Sequence, residues 1–208
     1  MKSSSFLKPV IAIAFLVATP LTMLAQGPKR NSVDVSVGGG YAYLNTSDSG
    51  TDDGKKHHAT LDTSISYNLL KTVSIGFEYT LTPLDNETID GVNFTEHLHN
   101  YGAVARFGLL PNRFVVPYVL VAGGGLRLED HASQGNESAS IKQPGNYFGA
   151  GGGANIYLGH GLGVRPEFRY QRQTLNNTTI DGFAVQGSGK NEAFLTGSIF
   201  YQFGGRGK

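Results

Sequence analysis

Leu162-Gly163-Val164-Arg165-Pro166-Glu167-Phe168-Arg169-Tyr170 changes character at almost every residue. Leu162, Val164, Pro166, Phe168 and Tyr170 fall on one side of an extended chain. Gly163, Arg165, Glu167 and Arg169 fall on the other. Successive side chains of a β-strand point to opposite faces, so this stretch predicts a strand with one apolar and one charged face. In a soluble sheet the apolar face turns to a core. In the wall of a membrane barrel it turns to lipid, and the charged face turns to the lumen.

Seven further stretches share the period of two. Val33, Val35, Val37, Tyr41 and Tyr43 alternate with Asp34, Ser36, Gly38, Gly40 and Ala42. Ala59, Leu61, Ile65 and Tyr67 alternate with Thr60, Asp62, Ser64 and Ser66. Val73, Ile75, Phe77, Tyr79 and Leu81 alternate with Ser74, Gly76, Glu78 and Thr80. Tyr101, Ala103, Ala105 and Phe107 alternate with Asn100, Gly102 and Arg106. In the next, Tyr118, Leu120, Ala122, Leu126 and Leu128 form the apolar set, which puts Val119, Val121, Arg127 and Glu129 on the lumen face. Phe148, Ala150, Ala154, Ile156 and Leu158 alternate with Gly149, Gly151, Gly153 and Asn155. The last runs through Leu195, Ile199, Tyr201 and Phe203, with Thr196, Ser198 and Gln202 between.

Seven connections join these eight strands. Asn68 to Thr72, Leu109 to Asn112 and Gly159-His160-Gly161 are tight. Thr46 to Lys56, Pro83 to Glu96, Asp130 to Asn146 and Gln173 to Lys190 are long and polar. Long and short alternate strictly, so every long connection lies at one end. That is the arrangement of an eight-stranded antiparallel transmembrane β-barrel, an up-and-down meander with short inner turns and long outer loops. A soluble exported barrel is the competing fold.

Composition removes other classes. The 208 residues contain no cysteine, so there is no disulfide scaffold, thiolate metal site or Cys nucleophile. The net charge of +1 gives no nucleic-acid footprint. Residues 1–25 carry Lys2 and Lys8, an apolar stretch from Val10 to Ala18, Pro20, and Leu24-Ala25, the layout of a cleaved signal peptide of the Sec type. Its removal leaves 15 basic and 16 acidic residues. The expected organisation is then a lead at 26–31, the barrel at 32–203 and a tail at 204–208.

Val73 to Gly91 aligns without gaps on Val164 to Gly182, an offset of 91 residues, and both copies hold Thr-Ile-Asp-Gly, at 88–91 and 179–182. The 29 glycines include triplets at Gly38–Gly40, Gly123–Gly125 and Gly151–Gly153. The last two are symmetric about residue 138, which predicts that a hairpin sets them opposite each other. Glycine inside strands marks bends or close approach, and the reading allows no large apolar core.

The eight-strand pattern, the V-R-P-E-F-R-Y run at 164–170, the P-Y-V-L-V-A-G-G-G run at 117–125 and the closing S-I-F-Y-Q-F at 198–203 resemble the small outer-membrane β-barrels of the opacity-protein and outer-membrane-protein-A type. The resemblance spans about Ser32 to Phe203. It implies the outer membrane of a Gram-negative cell envelope, contact with lipid and lipopolysaccharide, delivery by periplasmic chaperones, insertion by the barrel-assembly machinery, and loops that bind extracellular ligands. It also implies that Tyr201 and Phe203 form the assembly signal, although residues 204–208 follow them. No peptidoglycan-binding domain is expected after them.

Candidate chemistry is sparse. Asp34, Asp62, Glu78, Glu129 and Glu167 are expected to meet Arg106, Arg127, Arg165 and Arg169 in a salt-bridged lumen, because buried charge is tolerated only when paired. A narrow channel in which Glu78, Arg106 and Arg169 exchange partners is the alternative. His131-Ala132-Ser133 faintly resembles the His-x-Ser of outer-membrane lipid A deacylases. His57, His58, His97 and His99 lie at outer strand ends, where two imidazoles on one face could bind zinc but interfacial histidines are the default. No catalytic residue, metal or cofactor is assigned, and the expected function is non-enzymatic, in envelope structure or surface interaction through the four loops.

Overall fold

The computed structural model describes residues 27–44, 56–89, 91–111, 113–134, 137–180 and 183–206. The strands are β1 (Arg30–Leu44), β2 (Lys56–Asn68), β3 (Val73–Ile89), β4 (Val92–Gly108), β5 (Val115–Gln134), β6 (Glu137–Gly159), β7 (Leu162–Leu175), β8 (Thr178–Ile180), β9 (Phe183–Val185) and β10 (Gly189–Arg206). Eight of them close one antiparallel ring in the order β1-β10-β7-β6-β5-β4-β3-β2, while β8 and β9 form a separate small hairpin. Closure comes from β1 against β10, where Val35 faces Tyr201 and Arg30 faces Arg206. The eight-stranded meander is therefore present, and closure leaves the ring without an edge strand. The signal-peptide residues and the 46–55 part of the first long connection lie outside the described residues.

Four expectations about the fold change. Much of the sequence read as long loop is paired strand. Thr88 faces Asn93 on β3–β4, and Gln134 faces Glu137 on β5–β6. Polar residues on both faces hide these strands from a pattern search. The two copies of the repeat also close alike, with Ile89 facing Val92 and Ile180 facing Phe183. An Asp-Gly dipeptide between alternating residues is a strong short hairpin signal, and it is available in both copies.

The triplet pairing fails. Gly123–Gly125 lie opposite Asn146–Phe148, and Gly151–Gly153 opposite Tyr118–Leu120. The register is set by the tight hairpin after Gln134, not by the glycines. Two of them admit rings: a Cβ at Gly153 would come within 2.6 Å of the Tyr118 hydroxyl, and one at Gly125 within 2.8 Å of the Tyr101 ring. Strand pairing also extends past the expected barrel limits at both ends, to Arg30 and Arg206.

The interior holds apolar clusters too. Leu98, Val104, Tyr118, Leu120, Ala122, Leu126 and Tyr147 pack together, as do Val116, Tyr157 and Phe200. The expectation of a barrel with no large apolar core is thus modified: two apolar clusters share the interior with a polar layer. Outside, Val35, Val37, Ile65, Phe77, Val119, Phe168 and Ile199 stand exposed, as a lipid-facing belt requires.

Candidate functional site

The polar layer crosses the lumen between β3 and β7, which lie four places apart in the ring of eight and so face each other. Arg169 on β7 grips the Glu78 carboxylate with both terminal nitrogens, one at 2.8 Å to Oε2. The same guanidinium donates to Glu167 Oε1 at 2.7 Å. Arg106 Nε on β4 approaches Glu167 Oε2 at 3.3 Å. Paired two-point contacts of this kind are strong and directional. Nearer the termini, Arg165 donates to Asp34 Oδ1 at 2.9 Å and to Asn155 Oδ1 at 2.7 Å, and Asn68 donates to Asp34 Oδ2 at 3.0 Å.

Two tyrosines from the apolar cluster complete the layer. Tyr118 donates to Glu167 Oε2 at 2.8 Å, and Tyr147 to Glu78 Oε1 at 3.1 Å. Their rings pack among leucines while their hydroxyls reach the carboxylates, so oil and charge meet in single side chains. The space left beside Asp62, Glu78, Glu167 and Arg169 is about 20 Å³, room for about one water molecule.

Outside, tyrosines ring the wall at Tyr41, Tyr79, Tyr101 and Tyr170, and a second aromatic row stands at Tyr67, Phe107, Tyr201 and Phe203 near the termini. Two such girdles flanking an apolar band mark the membrane interfaces of a barrel. Past Tyr79, β3 continues ten residues to Ile89, a reach of about 33 Å along the strand.

A family model for the outer membrane protein beta-barrel domain matches residues 11–197. The chain belongs to that family. Among solved structures, Neisserial surface protein A is similar at 12% identity and TM-score 0.57, covering 84% of this chain and 100% of that one. Ail, the attachment invasion locus protein of Yersinia pestis, in complex with the heparin analogue sucrose octasulfate, is similar at 15% identity and TM-score 0.54, covering 84% and 99%. A major outer membrane protein from Thermus thermophilus follows at 10% identity and TM-score 0.51, covering 82% and 99%. No curated protein matches. As an outer-membrane β-barrel, the chain turns the Arg30 and Arg206 ends of its ring and its short connections to the periplasm and its long hairpins outward.

In this barrel Asp34, Glu78, Arg106, Arg165, Glu167 and Arg169 are buried inside, and Asp62 is partly buried against the small cavity. Arg127 and Glu129 are not inside. Residues of even number on β5 point inward, so Val119 and Val121 face lipid, and Arg127 and Glu129 stand on the outer wall. Both faces of β5 are apolar over most of its length, and the more regular set is the one that faces the lumen.

Glu192 on β10, which the sequence reading does not single out, lies buried and accepts from Gln171 at 3.4 Å and from Gln173. Among the described residues the interior therefore holds five carboxylates (Asp34, Asp62, Glu78, Glu167, Glu192) and three guanidiniums (Arg106, Arg165, Arg169), not the near balance expected. Glu192 escapes a pattern search because its strand begins six residues before the expected start at Leu195.

His57 and His58 face opposite sides of β2, His57 stacking on Tyr43 with ring centres 4.8 Å apart and His58 turned inward. His97 and His99 share the outer wall of β4. Among the described residues no group of three or more His, Asp or Glu is arranged to hold a metal. His131 and Ser133 lie on strand β5, not in a loop, and among the described residues no hydrogen bond joins them. Tyr201 and Phe203 stack edge to face at 4.6 Å on the outer wall at the periplasmic end.

Proposed function

We propose that this protein is a closed, non-enzymatic outer-membrane barrel that works through its outward hairpins, as a surface-interaction scaffold. The observation that carries this reading is the cross-lumen layer of Glu78, Arg169, Glu167 and Arg106, with about 20 Å³ left beside it. Eight strands enclose a bore that side chains just fill, and the charged side chains bind one another across it. Tyr201 and Phe203 serve as the assembly signal read by the insertion machinery, and their exposed aromatic rings at the end of β10 suit that role.

The hairpins suit recognition because strand pairing holds them rigid well past the outer tyrosines. Their chemistry differs from a polysulfate site. Residues 83–96 contain Asp85, Glu87, Asp90 and Glu96 and no Lys or Arg, so a ligand recognised by this hairpin is neutral or cationic, unlike the sulfated sugar in the Ail complex.

Planar-bilayer recording tests closure. The wild-type protein should give no discrete conductance steps at about 100 mV, a driving force of about 2.3 kcal/mol per charge, and the Arg169→Ala variant should give small ones. Steps from the wild type that vanish in Glu78→Ala would establish the gated-channel alternative.

A further inference from the structure

Just beyond the outer tyrosines, on the wall of β4, β5 and β6, two cations stand where lipid headgroups lie. Lys142 Nζ and Arg127 Nη1 each approach the same oxygen of Glu129, Oε1, at 3.4 Å. That shared contact draws two cationic heads together. His99 joins from β4, with Nε2 at 3.7 Å from Glu129 and Nδ1 at 2.7 Å from the Tyr79 hydroxyl. Arg127 and Lys142 keep about half their side-chain surface open, at 48% and 56%. Glu129 engages one edge of each cation, so N–H donors remain turned outward, and the group carries a net positive charge with its histidine neutral.

The same wall is hollow below. Tyr101, two residues inward from His99, lays its ring over Gly125, where a Cβ would come within 2.8 Å of the ring. Next comes a groove of about 760 Å³ with Ala103, Ala105 and Gly123 at its floor, Phe148 at one side and Tyr67 and Ile75 at the other. Small residues on β4 and β5 lower the surface here, while larger ones on β2, β3 and β6 raise its sides. From His99 to Ala103 is four residues, about 13 Å along the strand. A paired cationic rim and an apolar trough thus lie one above the other on a single wall at the membrane interface.

We infer that this wall seats one phosphorylated, multiply acylated lipid of the outer leaflet, with a phosphate against the outward N–H donors of Arg127 and Lys142 and an acyl chain in the Ala103–Ala105–Gly123 groove. Phosphate recognition uses Arg as a fork and Lys as a point charge, and both are present. A free anion would need only the rim, and a lipid without phosphate only the groove. The vertical arrangement of the two selects a molecule that carries both.

Native mass spectrometry of the refolded mature barrel in detergent tests this, with hexa-acylated bisphosphoryl lipid A as the probe. The wild type should retain one lipid A, the Arg127→Ala/Lys142→Ala double variant should bind it about tenfold more weakly, and dephosphorylated lipid A should bind the wild type as weakly as that. Ala105→Phe, which fills the groove and leaves the cations, should weaken binding about threefold. Heat-modifiable gel mobility verifies that each variant is folded; should the double variant fail to fold, Arg127→Gln and Lys142→Gln singly carry the same test with smaller losses. Equal retention of lipid A by wild type and charge variants overturns the proposal. Retention of phosphatidylglycerol as strong as that of lipid A overturns it too, since any anionic lipid would then do.

Discussion

β5 and β7 both run outward and are separated only by β6, yet they fill the lumen in opposite ways. β7 sends in Arg165, Glu167, Arg169, Gln171 and Gln173. β5 sends in Val116, Tyr118, Leu120, Ala122 and Leu126. One strand supplies an ionic layer and the other an apolar wall against which that layer rests. The contrast teaches that a narrow barrel need not fill its bore with charge. It can dry part of the bore with leucine and valine, and the remaining ion pairs then sit where water is scarce and their attraction is strong.

The largest expected effect comes from the β7 side. Arg169→Leu leaves Glu78 and Glu167 buried without their shared partner, and uncompensated buried charge costs about 3–5 kcal/mol. Urea unfolding of the refolded barrel in lipid vesicles should show a loss of that size. A loss under about 1 kcal/mol, the scale of an exposed pair, would mean that water reaches the layer. On the β5 side, Leu126→Ala removes a side chain with no exposure, and a cavity of that kind costs about 2–4 kcal/mol. If it proves silent, the lumen wall is wet and the contrast with β7 collapses. The smallest effect belongs to the outer end of β5. Arg127 is half exposed, so Arg127→Ala should change stability by less than about 1 kcal/mol in the same unfolding series. A loss as large as that for Arg169→Leu would return Arg127 to the interior.

The same two strands explain what can be read in the sequence. Charge on alternate residues of β7 distinguishes its faces, and there the lumen side is legible from residues 163–170 alone. On β5 the charges at Arg127 and Glu129 lie beyond the tyrosine girdle, where the outer wall is no longer apolar. Polar residues past that level carry no information about which side is lipid, and extending their phase back into the membrane inverts the strand. The ring of eight is legible because its evidence is spread over the whole chain. Glu192, Tyr118 and Tyr147 are not, because their importance comes from neighbours on other strands: Gln171 and Gln173, Glu167, and Glu78. The hairpin extensions fall between, since alternation fades there while the Asp-Gly signal at 90–91 and 181–182 is present.

Arg169 and Glu78 occupy equivalent strands in the two copies of the repeat, 91 residues apart. Hairpins such as β3–β4 and β5–β6 join neighbours in sequence and can zip locally. The contact between Arg169 and Glu78 cannot, because the two strands face each other only in a curled sheet. Contacts between distant parts of a chain are the slow ones to form. In the time order of assembly this pair comes late, and it works as a clasp: it adds nothing to an open sheet and holds only a sheet that has already come round on itself.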